Sequence, residues 1–351
     1  MLNLLSIDEY LNEFTDLPLI DVRSPGEYTQ AHIPGAINIP LFTNEERAVI
    51  GTVYKRRSRE EAIALGQDFV APKREHLFNQ SKAAANSQGI AVHCWRGGMR
   101  SQFFAEHLVQ YGLQNVCLIE GGYKAYRRSL ISSFERTHCL YSLGGYTGSG
   151  KTEILLELKK LGQQVVDLEA YACHKGSAFG GIGEIPQPTT EQFENNLFAE
   201  WRTFDPSKPI WIEDESRSIG NVVLPTSLFA EMRSQPVCFI NIPREERAKF
   251  LVNHYGHYPK EQLAAAVHRI TKKLGGQNAQ LALELLEHGK LEEATHIALH
   301  YYDKLYEKGV SRRDASLVFE LPLQTVDPVQ NAQLILRYIE RKHNTRSTDA
   351  I

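Results

Sequence analysis

At 351 residues the chain has room for two domains, each with its own core. Its 42% hydrophobic and 23% charged residues are ordinary for a globular protein. The formal net charge of −3 excludes nucleic-acid binding through bulk basicity, so any such contact must use local patches. Five scattered cysteines (94, 117, 139, 173 and 238) with no C-x-x-C pair argue against a disulfide framework and a zinc site. No apolar run has the length of a membrane span, and residues 1–10 lack a signal pattern. A cytoplasmic protein is expected, with no haem, flavin or zinc.

In chain order, residues 17–22 read as a strand, Leu-Pro-Leu-Ile-Asp-Val, followed by a turn and helix start at 23–28. Residues 31–40 form a loop running into a second short strand. An insertion at about 42–74 carries the densest basic cluster, Lys55, Arg56, Arg57 and Arg59, with Tyr54 interleaved. It reads either as a solvated helix face or as a contact to a phosphate backbone.

The apolar run 89–92 reads as a buried strand, and 102–111 as a helix with Phe103, Phe104, His107 and Leu108 at helical spacing. Between them lie His93, Cys94, Trp95, Arg96, Gly97, Gly98, Met99, Arg100 and Ser101. A cysteine at this junction meets helix amides that have no intrahelical partner, which favour a thiolate and cradle an anion. Gly97 and Gly98 let the backbone curl, and Arg100 is expected to close the ring with a bidentate donor. Such a thiol can attack an electrophilic chalcogen or phosphorus, or carry a chalcogen atom. His93 reads equally well as a strand-end residue without a chemical part. Residues 116–119 are a further strand, ending in Gly121-Gly122.

In the second half, 138–143 read as a strand feeding a loop that fits G-x-x-x-x-G-K-[ST] over 145–152, then a helix over 153–161. Gly145, Gly148, Ser149 and Gly150 would wrap phosphate oxygens, Lys151 would reach the terminal phosphates, and Thr152 would bind Mg²⁺. A strand at 164–169 leads to a Gly-rich loop whose His174, Lys175 and Ser177 suit a phosphorylated ligand. Another at 209–212 ends in Glu213, Asp214 and Glu215, expected to hold Mg²⁺ with Thr152. A strand at 236–240 precedes Arg244 and Arg247, which would contact ligand phosphates or pair with acids. From 259 the chain turns helical (260–274, 279–287, 291–307), with Arg269, Lys272 and Lys273 on a basic face that would meet RNA or solvent. Residues 344–351 are polar and expected to fray.

Asp-Val-Arg-Ser-Pro-x-Glu-Tyr at 21–28, His-Ile-Pro-Gly-Ala-x-Asn-Ile-Pro at 32–40, the Cys loop and the Gly-Gly turn resemble a rhodanese domain. The Cys-x5-Arg spacing is one residue longer than in common sulfurtransferase rhodaneses and resembles that of rhodanese-fold phosphatases. The Cys loop, the phosphate loop, Asp-Leu-Glu-Ala at 167–170, His-Lys-Gly-Ser-Ala-Phe-Gly at 174–180 and Glu-Asp-Glu-Ser-Arg at 213–217 together resemble the bacterial tRNA 2-selenouridine synthase family over nearly the whole chain. The family pattern has Arg at the position of Lys175, so charge is kept and the fork is lost.

The expected fold is α/β: a rhodanese-like parallel-sheet domain over 1–133, then a P-loop NTPase-like domain over 134–351 with a helical C-terminal subdomain from about 259. The resemblance implies tRNA with 2-thiouridine at the wobble position as substrate. It implies geranyl diphosphate as alkyl donor to sulfur and selenophosphate, supplied by selenophosphate synthetase, as selenium donor. Three other readings fit parts of the chain: a tRNA sulfurtransferase, a Cys-x5-Arg phosphatase, and a nucleotide-regulated binding module.

Overall fold

The structure, a computed structural model, describes residues 2–348. The chain divides after Ser133 into two compact units, and residues 194–199 group with the first.

The first unit is built on five strands: β1 (Leu2–Leu5), β2 (Leu19–Asp21), β3 (Ile37–Asn38), β4 (Ile90–His93) and β5 (Val116–Ile119). They pair in the order β1-β5-β4-β2-β3, all parallel. Every residue of β2, β4 and β5 is buried, which explains runs that are apolar without alternation. The edge strand β1 went unread because half of it faces solvent. Helices begin where capping boxes satisfy their first amides, at Ser6/Glu9, Ser24/Glu27 and Thr43/Glu46. The insertion folds as helices Asn44–Arg56 and Arg59–Val70.

The second unit has β6 (Leu140–Gly145), β7 (Gln164–Val166), β8 (Ile210–Glu213), a small antiparallel ribbon of β9 (Ser218–Ile219) and β10 (Val222–Val223), β11 (Val237–Asn241) and β12 (Val318–Pro322). The main sheet is parallel in the order β12-β11-β6-β8-β7. β6, the middle strand, therefore delivers the phosphate loop, and β8 beside it delivers Glu213. Helices Lys260–Leu274, Gly276–Glu287 and Leu291–Val310 share a separate core that includes Leu263, Val267, Leu286 and Tyr302.

Two expectations need correction. The strand expected at 164–169 stops at Val166, because the Asp167 side chain accepts from the Ala170 amide (2.8 Å) and caps a helix, Leu168–Ala172. The helical subdomain does not run to the end. It stops at Val310, and β12 then returns to the sheet edge, where Pro322 needs no ladder donor. Helix Pro328–Thr348 follows, and Ala332, Ile335 and Ile339 pack into the sheet core with Ile154, Leu155 and Leu158. Residues 344–348, expected to fray, are helical in backbone, and residues 349–351 lie outside the described residues. Among the described residues no helix is long and apolar enough to cross a membrane.

Candidate functional site

Each unit carries one anion-ready loop at the end of a buried parallel strand.

In the first, Cys94 follows β4 directly and is buried. Ser101 Oγ lies 3.1 Å from both Cys94 Sγ and the Gly98 carbonyl, so a hydroxyl is poised to donate to the sulfur. Helix Met99–Gln110 starts immediately after, and Gly98, its N-cap, offers no side chain to its first amides. The Gly121-Gly122 turn clasps the loop from β5: Tyr123 N donates to Cys94 O and Lys124 N to Trp95 O, both at 2.9 Å. Gly122 has φ +54°, and a Cβ there would sit 2.2 Å from the Cys94 carbonyl oxygen, so only glycine allows this closure. Trp95, Arg96 and Met99 are exposed around the thiol.

Arg100 departs from expectation. Its guanidinium does not close a ring over the thiol but donates to Glu27, Nη1 to Oε2 at 2.8 Å. Glu27 is the capping-box acid of the 25–30 helix and also meets Arg47 at 3.6 Å, so a carboxylate positioned for local reasons captures the arginine. Burial works against the Glu27 charge, but Arg100 and its other donors outweigh it and hold its pKa low. His93 is fully buried, 3.6 Å from Asp21 and 3.3 Å from the Cys94 carbonyl, and burial lowers its pKa. Asp21 in turn binds buried Arg23 (2.6 Å), whose guanidinium lies 4.0 Å above the Tyr123 ring. This network is the platform beneath the loop. Asp21→Ala should cost about 3–5 kcal/mol by stranding Arg23, read from urea-induced unfolding.

Arg59 Nη2 reaches Met99 Sδ at 3.5 Å, which places the end of the 55–59 basic cluster beside the Cys loop. Lys55, Arg56 and Arg57 are exposed, and Arg57 pairs with Glu61.

In the second unit, Lys151 Nζ donates to the Gly145 carbonyl (3.2 Å) and lies 5.3 Å from the centre of the Tyr306 ring. Ser149 Oγ donates to Tyr146 O. Arg247 stiffens the loop: it is buried, forms a bidentate pair with Asp303 (2.9 and 3.0 Å), and donates to the Thr147 carbonyl (3.0 Å). Arg244 joins the same aspartate. Both arginines are thus taken up by an acid of the helical part.

Thr152 Oγ1 lies 2.9 Å from Glu169 and 3.2 Å from Glu213, and Glu213 also accepts from the Glu169 amide (3.1 Å). Glu169 and Glu215 both flank Gly176, each placing a carboxylate oxygen about 3 Å from where a Cβ would stand. Burial works against the Lys151 ammonium, yet Tyr306, Glu215, Glu169 and Glu213 outweigh it and raise its pKa. Burial, reinforced by Glu215, lifts the Glu169 carboxyl to about 8; burial and Glu169 push Glu213 well above the carboxylate range. Glu215 is raised by burial against the pull of Lys151. Asp214 stands apart. It is engaged by Arg313 and by Arg233 (3.3 Å), and the carboxylate that joins Glu213 at Thr152 is Glu169, which sequence reading missed. Among the described residues no three His, Cys, Asp or Glu side chains form a ready metal cage. A phosphate-loop Mg²⁺ needs only one or two protein ligands beside phosphate and water, and this excess of buried carboxylate fits it.

A raised carboxyl pKa means that the folded state binds the proton more tightly than the unfolded chain does. Its stabilising contribution is complete below the unfolded value and lost as pH rises through about 8. In metal-free buffer the melting temperature should fall over that window, and a Glu169→Gln variant should fall less.

A cavity of about 770 Å³ joins these groups. It is lined by the phosphate loop with Lys175 and Ser177, and by Leu263, Val267, Leu286, Ala298 and Leu299 of the helical part. Lys175 meets Glu184 at 3.3 Å. His174 is not part of the lining; its Nδ1 is buried with no hydrogen-bond partner, and burial lowers its pKa. Arg269 donates to the Ala178 carbonyl (2.7 Å), which ties the 174–180 loop to the helices, while Lys272 and Lys273 are exposed.

The tRNA 2-selenouridine synthase AAA domain matches residues 138–334, and the rhodanese-like domain matches 6–129. A tRNA 2-selenouridine synthase of Bdellovibrio bacteriovorus is 34% identical over 89% of this chain and 94% of its own. Those of Nitrosomonas eutropha and Nitrosomonas europaea are 32% and 33% identical, covering 89% and 87% of this chain and 94% and 92% of theirs. With a thiol loop on one parallel sheet and a phosphate loop on the next, the chain belongs to the tRNA 2-selenouridine synthase family.

Proposed function

We propose that this protein replaces the sulfur of a wobble 2-thiouridine in tRNA with selenium in two steps, one at each loop. The observation that carries the reading is a cavity lined both by the phosphate loop and by apolar side chains. A phosphate loop that served only a nucleotide needs a base and ribose site. This one opens onto leucine, valine and alanine side chains, as a prenyl diphosphate such as geranyl diphosphate requires.

In the first step the thiocarbonyl sulfur bonds to C1 of the geranyl group, and the C1–O bond breaks with its electron pair leaving on diphosphate. Lys151 and the loop amides receive the growing charge. Thr152, Glu169 and Glu213 would hold Mg²⁺, which supplies further neutralisation of the diphosphate when bound. S-alkylation turns a poor leaving group into a good one. In the second step, at the Cys94 loop, the thiol attacks the phosphorus of selenophosphate and the P–Se bond breaks to release selenide. Selenide adds to C2 of the activated base, the C2–S bond breaks with its pair leaving as geranyl thiolate, and water hydrolyses the phosphocysteine to inorganic phosphate. The loop amides receive the phosphate, and Ser101 Oγ lies within hydrogen-bond reach of the Cys94 sulfur.

Crowding the apolar lining tests the reading. Ala298→Phe should raise KM for geranyl diphosphate roughly ten-fold or more while inorganic diphosphate binds as before. Unchanged geranyl transfer in that variant would remove the cavity from the account.

A further inference from the structure

The same cavity has a third region that neither loop uses. Asp214 follows β8 and pairs with Arg313, which is buried, and Arg233, which is half-exposed; Arg217 and Arg312, the residue before Arg313, are exposed. Arg217, Arg233 and Arg312 all line the cavity. Two guanidinium groups, those of Arg313 and Arg233, reach that carboxylate, and Arg217 and Arg312 add two more cations to the lining. Arg313 is already committed to the carboxylate, and Arg233 divides its donors between Asp214 and the Gly309 carbonyl (3.1 Å). Among the described residues the partner of the Arg217 side chain is a hydroxyl, Thr226 Oγ1 at 3.2 Å. The remaining lining acids, Glu153, Glu169 and Glu215, include the two carboxylates that flank Gly176.

Beside these arginines is Phe229, one helical turn before Arg233 on helix Thr226–Ser234. It also lines the cavity and is half-buried. Planar cations and an aromatic face at a cavity edge are the pairing that holds an unstacked nucleotide, with phosphate on the arginines and base against the ring. We infer that Arg217, Arg233, Arg312 and Phe229 form the RNA entry site of the second unit, taking a phosphate and a splayed base of single-stranded RNA at the cavity edge. This rests on the reading of tRNA as substrate. It adds a contact surface distinct from the Lys55–Arg59 and Arg269–Lys273 clusters.

The test is binding of a tRNA transcript with a wobble uridine to the full-length protein across a salt series. Arg217→Glu with Arg312→Glu, at the parent's melting temperature, should bind roughly ten-fold or more weakly. The slope of log K against log salt should shrink by about one for each lost phosphate contact. Phe229→Ala should also weaken binding roughly ten-fold, with the slope unchanged, because stacking releases no counterions. Arg312→Gln alone, at an exposed position, gives the same comparison in milder form should the double variant unfold. Parental affinity and slope in these variants would overturn the assignment. So would loss of inorganic diphosphate binding with tRNA binding intact, which would hand the arginines to the first substrate. A parent protein that binds no tRNA would instead remove the proposed function itself.

Discussion

Replacing Cys94 by alanine should abolish selenouridine formation, by roughly a thousand-fold or more, while geranyl transfer continues. The thiol is the only nucleophile in its loop, with Ser101 aimed at the sulfur rather than replacing it. Nothing in the phosphate loop depends on it. The tRNA should accumulate in its S-geranyl form, seen as a heavier, later-eluting nucleoside after digestion. Arg100→Ala gives a graded companion. If Glu27 keeps the guanidinium, the loss should be mild. If the donor draws Arg100 away from Glu27, selenation should fall with little change in geranylation.

Lys151→Ala should lower geranyl transfer by roughly a hundred- to a thousand-fold. Among the described residues the Lys151 ammonium is the lining cation that contacts the phosphate-loop backbone, through the Gly145 carbonyl. Its loss also leaves Glu169 and Glu215 facing each other without compensation, so Mg²⁺ binding should change in the same variant. The tRNA should then remain as 2-thiouridine, and selenouridine should be absent because no activated base is made.

Both loops were legible because each is contiguous: strand, glycine-rich turn and helix follow within a dozen residues, and the chemistry lies in the turn. Their partners were not. Glu27 lies far from Arg100 in sequence, and only the fold brings its capping carboxylate there. Arg247 finds its acid in Asp303, in a different subdomain. Glu169 was hidden because its segment looked like the tail of a strand. The cue available was Asp167, a capping residue two positions earlier, which turns the chain into a helix and points Glu169 back at Thr152. Asp214 shows the converse case. Three adjacent acids suggest one site, yet alternation at a strand end sends the middle one elsewhere, here to Arg313 and Arg233. The last helix was missed because its apolar residues cover a sheet that only β12 and its neighbours define.

The central claim is that alkylation at the phosphate loop precedes and enables selenation at the thiol loop. It is tested most directly by giving Lys151→Ala protein a tRNA already S-geranylated at the wobble base, together with selenophosphate, and analysing the digested nucleosides by mass spectrometry. The account predicts that 2-selenouridine appears, because the impaired step has been bypassed. Geranylated tRNA that stays unchanged, in a variant that retains the parent's fold and tRNA affinity, would contradict it.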